Sequence, residues 1–176
     1  MDLKIEECAI PIGKSKVIND YFQKVKDDLE FNFYYNFLIS PIPNELMEEE
    51  EVLKELNKEF PVRHMGISKF CPFTHHKWHQ DTDRGVTVNM LLQSQRSQVL
   101  FGHPQEMGEN YEKFGKNGTI NFVELNYEPE TFYLFNAQIN HSIFNFEGDR
   151  YLFTLEFEKD KNELSYEDIL KYYESI

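Results

Sequence analysis

The stretch His141-Ser142-Ile143-Phe144-Asn145-Phe146-Glu147-Gly148-Asp149-Arg150-Tyr151-Leu152-Phe153-Thr154-Leu155-Glu156-Phe157 decides the fold. Two β-like runs flank Glu147-Gly148-Asp149, a sequence suited to a tight turn, so the segment reads as a hairpin. In the second run Tyr151, Phe153, Leu155 and Phe157 alternate with Arg150, Leu152, Thr154 and Glu156, giving one wholly apolar face and one mixed face. If Arg150 points into a barrel, the apolar face points outward and must be covered by helices. The other arrangement lines the barrel with the apolar face and leaves Arg150 at the surface beside Asp149. A buried arginine is costly unless paired, so the first arrangement requires a partner for it.

Working back from the hairpin, short β-like segments recur around Met65 to Phe70, Val86 to Leu92, Gln98 to Phe101, Thr119 to Glu124 and Thr131 to Phe135. Seven or so short strands separated by turn residues predict a sandwich or jelly roll. Before Pro61 the pattern is helical. Ile18, Tyr21, Phe22, Val25 and Leu29 follow Ser15 at helical spacing, with Ser15 placed as a cap. A second helix is expected after Pro43, with Asn44 as cap, Leu46, Leu53, Leu56 and Phe60 on one stripe, and Glu48 to Glu51 as its solvated face. Ser165 and Asp168 form a capping-box pattern for a last helix through Ile169, Leu170 and Tyr173.

The 176 residues, 40% of them hydrophobic, suffice for one buried core, and one domain is expected over 1–176. Within it, 1–60 is read as a helical N-terminal cover, 61–157 as a jelly-roll core and 158–176 as a C-terminal helix. The composition agrees, with 16 Phe, 10 Tyr and little Ala. The fold class is therefore mainly β, a double-stranded β-helix flanked by helices. A formal charge of -13, without any Lys or Arg run, argues against a duplex nucleic-acid partner. No segment has the apolar length to span a bilayer, and Met1 to Gly13, with Asp2, Glu6 and Glu7, lacks the features of a secretory signal. A soluble, cytoplasmic protein without a membrane partner is the expectation. Cys8 and Cys71 sit in no metal or redox motif and are read as two reduced thiols, a disulfide being the alternative.

His79-Gln80-Asp81 sets an imidazole and a carboxylate two residues apart, which on an extended chain directs both to one face. His141 begins a later β segment and can bring a second imidazole. Two neutral imidazoles and one carboxylate on one face of an octahedral ion leave three positions open and suit ferrous iron. Read alone, the same residues are a surface turn, Asp81-Thr82-Asp83, beside a solvated histidine. Arg150 shifts the balance, because it follows His141 across the tight turn, where its planar fork can bind a dicarboxylate.

Residues 66 to 157 resemble the iron(II)/2-oxoglutarate-dependent oxygenases, and more narrowly their aspartyl/asparaginyl β-hydroxylase-like branch. Ser68, Pro72-Phe73-Thr74-His75 and His79 are similar, without gaps, to the family's serine, Pro-Gly-Thr-His and metal histidine. Phe135-Asn136 leading to His141, then Arg150 and the strand Tyr151 to Phe157, resembles its second metal histidine and cosubstrate arginine. The resemblance implies Fe(II) on His79 and His141, with Asp81 supplying the carboxylate of the wider superfamily where some β-hydroxylases have glycine. It also implies 2-oxoglutarate held at its distal carboxylate by Arg150, assisted by Ser68. Phe73 departs from the motif glycine, and Val88 and its neighbours lack the basic residue of a relative, whose place at the cosubstrate Asn89 is read as taking, an ordinary strand residue being the alternative. The implied reaction is hydroxylation of an amino-acid, peptide or other small substrate with O2, releasing succinate and CO2. A metal-binding jelly roll without oxidative activity, acting as a binding module or sensor, and a cupin-like isomerase or hydrolase use the same ligands and differ in giving Arg150 no task. His75 and His76 stand close by as extra donors or surface histidines, and Trp78 is read as packing. His64 and His103 have no evident partner. Gly102 to Gly118 has the composition of a loop over a pocket or of a plain connection.

Overall fold

The computed structural model describes residues 3–34, 37–102 and 122–175. Two antiparallel sheets face each other. The larger contains β1 (Ala9–Lys14), β2 (Asn32–Tyr34), β3 (Phe37–Pro41), β4 (Val62–Phe70), β6 (Val86–Gln93), β9 (Thr131–Asn136) and β11 (Arg150–Phe157), in the spatial order β1-β9-β6-β11-β4-β3-β2. The smaller contains β5 (Thr74–His79), β7 (Arg96–Gly102), β8 (Phe122–Glu124) and β10 (His141–Glu147), in the order β5-β10-β7-β8. This is the expected double-stranded β-helix, mainly β and covered by helices at both ends of the chain.

β11 lies at the centre of the larger sheet, between β6 and β4. Its apolar face turns outward: Phe153, Leu155 and Phe157 share one buried cluster with Ile18 and Phe22 of α2 (Val17–Val25), Leu53 and Leu56 of α4 (Glu51–Glu59) and Ile169 of α5 (Tyr166–Ser175). Tyr151 packs at the edge of that cluster, its ring 5.0 Å from Phe22. Its other face looks into the barrel, where a second cluster contains Phe70, Val99, Phe101, Tyr133, Phe135 and Ile143. Arg150, fully buried, belongs to that inner side. Gly148 takes a left-handed φ of 63° in the β10–β11 turn, which explains the glycine there.

The first 60 residues are more than a helical cover. β1 pairs with β9, and β2 and β3 extend the sheet beyond β4. Pro11 and Gly13 obscure β1, whose ladder is irregular between those residues. The helix expected from Pro43 to Phe60 is two, α3 (Glu45–Glu49) and α4, divided at an extended Glu50. Glu50, expected on a solvated face, is buried: its carboxylate accepts hydrogen bonds from the Ser15 hydroxyl and from the Ile18 amide, closing the start of α2. A single turn, α1 (Ile5–Cys8), precedes β1. The Ser165 and Asp168 side chains exchange the expected capping bonds at the start of α5. Cys8 and Cys71 are free thiols. His103, the proposed loop at Gly102 to Gly118 beyond its first residue, and the start of the Thr119 to Glu124 segment lie outside the described residues.

The two-faced reading of β11 predicts that Phe153→Ala lowers unfolding free energy by about 3–5 kcal/mol, as measured by denaturant titration. Phe33→Ala, at a side chain 75% exposed, changes it by less than about 0.5 kcal/mol.

Candidate metal centre

The pairing of β5 with β10 builds the site. His79 ends β5 directly opposite His141 at the start of β10. The register slips between His141 and Ile143, where Ser142 of β10 alone opposes Lys77 and Trp78 of β5. This bulge turns both His76 and His79 toward the interior, although three residues separate them and strict alternation would place them on opposite faces. Just beyond β5, the Asp81 amide donates to the Ala137 carbonyl at 3.0 Å, tying the carboxylate to the turn before β10.

His79, Asp81 and His141 each direct one donor atom to a common point, all within 4.8 Å of one another. Asp81 Oδ1 is 3.5 Å from His79 Nε2 and 3.8 Å from His141 Nε2. Asp81 is 11% exposed, so the surface-turn alternative does not describe it. Each imidazole is oriented from behind: His141 Nδ1 lies 2.9 Å from the Ile139 carbonyl and His79 Nδ1 2.6 Å from that of Lys77. Donation from Nδ1 leaves the Nε2 lone pairs facing inward. Burial, reinforced by His79, pushes the His141 imidazole down to about 4, so it stays neutral, as a ligand must. Burial opposes ionisation of Asp81, but the neighbouring His79 and the charge of Arg84 outweigh it and hold the carboxyl well below the usual range. The donor set fits a first-row divalent ion with open positions, with ferrous iron the usual occupant of such a triad.

Arg150 stands apart from the triad, across the same interior. Its guanidinium carbon lies 5.4 Å from the Phe70 ring and 5.9 Å from that of Tyr127, and Nε donates to the Ser97 hydroxyl at 3.2 Å. Among the described residues, Nη1 and Nη2 are buried with no hydrogen-bond partner within bonding geometry. Burial lowers the Arg150 pKa from its ordinary value, and Tyr127 works against that; burial likewise pushes the Tyr127 phenol up to about 12. Such a cation is poised for an anion. Phe70 and His76 lie between the two centres, their rings 6.1 Å apart, with His76 4.3 Å from His79.

Ser68 lies on β4 two residues before Phe70, opposite Leu152, and is buried. Asn89 lies opposite Thr154, its Oδ1 buried and without a hydrogen-bond partner among the described residues. His75 is exposed on the outer side, 2.9 Å from the Ser142 hydroxyl and stacked on Phe144. His76 reaches inward, with Nε2 3.1 Å from His79 Nε2. His64 is exposed on β4, and Trp78 is half-buried. Phe73, where the resembling motif has glycine, adopts a left-handed φ of 57° while 87% exposed, so the backbone keeps the turn that glycine favours. The sequence reading did not single out Arg84, Tyr127 or Gln138. Arg84 alone left a legible sign, as a cation three residues after Asp81 in one turn.

No protein-family model and no curated protein sequence matches this chain. Solved structures do, and they share the double-stranded β-helix of the 2OG-Fe(II) oxygenases. An oxidoreductase of the 2OG-Fe(II) oxygenase family from Burkholderia pseudomallei aligns over 92% of this chain and 88% of its own, with TM-score 0.60 and 10% identity. HygX from Streptomyces hygroscopicus, in a structure with nickel, 2-oxoglutarate and hygromycin B bound, aligns over 86% and 82% with TM-score 0.61 and 11% identity. A Pseudomonas putida prolyl-4-hydroxylase aligns over 86% and 91% with TM-score 0.56 and 11% identity. At these identities the likeness is one of fold. Among the described residues no helix is long and apolar enough to cross a membrane.

A ligand that binds only the folded state stabilises it by mass action, about 2.7 kcal/mol at one hundred times its Kd. Saturating Ni(II) is therefore expected to raise the melting temperature of the wild type and to leave that of His141→Ala unchanged, as followed by differential scanning fluorimetry.

Proposed function

We propose that this chain is an iron(II)- and 2-oxoglutarate-dependent dioxygenase that hydroxylates an amino-acid, peptide or other small substrate and releases succinate and CO2. The observation that carries this reading is Arg150: a fully buried guanidinium with two nitrogens unpaired among the described residues, on the same inner side of the sandwich as the His79, Asp81 and His141 cluster. A metal-binding module or a cupin-like hydrolase has no use for such a group. A five-carbon dicarboxylate does, because it spans from a metal to a distant cation. The 2-oxoglutarate and nickel seen bound in HygX support the same assignment, as does the resemblance to the aspartyl/asparaginyl β-hydroxylase-like branch.

His79, Asp81 and His141 would hold Fe(II), and Arg150 would take the distal carboxylate of 2-oxoglutarate. The bound iron and cosubstrate supply the oxidative chemistry, using O2 and the two electrons released as 2-oxoglutarate loses CO2. The protein's own task is placement. Arg150 fixes one end of the cosubstrate through two parallel N–H donors, while Phe70 and Tyr127 keep its surroundings dry and strengthen that ion pair. Ser68 is assigned as a further donor to the distal carboxylate and Asn89 as a polar contact within the cosubstrate pocket. With His79, Asp81 and His141 as its three protein ligands, the ion would keep coordination positions for cosubstrate and oxygen.

Protein reconstituted with Fe(II) and given 2-oxoglutarate in air is expected to form succinate slowly even without a substrate, measured by mass spectrometry. Arg150→Met is expected to lower that rate by at least about tenfold at limiting 2-oxoglutarate, through loss of a charge-assisted pair. Unchanged succinate formation in a folded Arg150→Met protein would remove Arg150 from the cosubstrate site.

A further inference from the structure

Arg84 engages only one oxygen of Asp81. Its Nε donates to Oδ2 at 2.8 Å and its Nη2 lies 2.6 Å from the same atom, whereas Oδ1 is the oxygen turned toward His79 and His141. The two oxygens are therefore already divided between a cation and the histidine cluster.

The division is built into the turn. The Gln138 side-chain amide donates to the carbonyls of both Asp81 and Arg84, at 2.9 and 2.7 Å. The Lys161 amide donates to the Asp83 carbonyl at 2.9 Å, and a Cβ at Gly85 would collide with the Leu164 carbonyl oxygen. With the backbone held from both sides, the guanidinium has little freedom. Its Nη1 also reaches the Thr154 hydroxyl at 3.5 Å, which is 3.2 Å from the Thr87 hydroxyl. At 29% side-chain exposure for Arg84 and 11% for Asp81, the pair is screened far less than one in open solvent.

Resting on the metal-site reading above, we propose that Arg84 is a positioning residue that makes Asp81 a one-oxygen metal ligand. Without it, Oδ2 is free to swing onto the ion and take a coordination position that the cosubstrate needs. A carboxylate can bind an ion through one oxygen or two, and the partners of the non-ligating oxygen set the choice. The positive charge of Arg84 also withdraws electron density from the carboxylate and offsets part of its attraction for a cation. Arg84 thus costs the protein some affinity for the bare ion and keeps the metal open.

The two consequences have opposite signs, which separates this role from a merely structural one. In Arg84→Met, Mn(II) affinity measured by the loss of free-ion electron paramagnetic resonance signal should equal or exceed that of the wild type. The affinity of the Mn(II)-loaded variant for 2-oxoglutarate, measured calorimetrically, should fall by about tenfold or more. The visible bands of the Co(II)-loaded variant should differ from those of the wild type, reporting the added oxygen ligand. Arg84→Lys, which keeps a cation at Oδ2, should recover most of the cosubstrate affinity. A folded Arg84→Met protein with wild-type 2-oxoglutarate affinity, or one that loses Mn(II) and 2-oxoglutarate in parallel, would overturn the role assigned to Arg84. If the wild type itself takes up no Mn(II), or gains no 2-oxoglutarate affinity on taking it up, the metal-site reading fails instead.

Discussion

A guanidinium buried inside a β-barrel, with no carboxylate paired to it among the described residues, is the constraint on which the rest of this structure depends. Arg150 opens β11, the central strand of the larger sheet, and both faces of that strand are packed. Placing the cation inside obliges Tyr151, Phe153, Leu155 and Phe157 to point outward. That in turn obliges α2, α4 and α5 to cover them. The outward apolar face of the larger sheet, its helical cover and the inward guanidinium are thus consequences of one alternation. The opposite arrangement would have given an apolar barrel and an idle surface arginine. Evolution rarely retains a cation of this kind for stability, since an apolar residue of similar size packs at no desolvation cost.

The donor cluster on the smaller sheet has its own scaffold. His79 and His141 face each other because β5 and β10 are antiparallel neighbours, and Asp81 follows because its amide is held by Ala137. Backbone carbonyls orient the rings and burial keeps His141 neutral, while Arg84 occupies the carboxylate oxygen turned away from the histidines. Under the proposed function, this cluster would take a cation and the separate guanidinium an anion, a pair that a chelating dicarboxylate would satisfy at once.

Much of the fold was legible in the sequence, for reasons that particular residues show. The strands β4, β6, β7, β9, β10 and β11 carry β-branched and aromatic runs bounded by turn residues, and Ser165 and Asp168 announce α5. The early strands were hidden: β1 contains a proline and a glycine, and β2 is only three residues long. Glu50 read as solvent-facing because it sits among other glutamates, and only the fold brings it against Ser15 and the start of α2. Of the site, His79, Asp81, His141 and Arg150 could be named from spacing and strand parity. His76 could not be assigned a face, because a bulge breaks the alternation on which such assignment rests. Tyr127 and Gln138 come from segments without any periodic signal, and tertiary packing alone gives them their positions.

The central claim is that one interior holds both a metal and a dicarboxylate that chelates it. Anaerobic titration of the protein with Fe(II) and 2-oxoglutarate tests this most directly, because direct chelation of ferrous iron by a 2-oxo acid produces visible charge-transfer absorption. A band should develop to one equivalent of each component, be absent with either component alone, and vanish in His141→Ala. A well-folded, iron-loaded protein that shows no such band with excess 2-oxoglutarate would contradict the account.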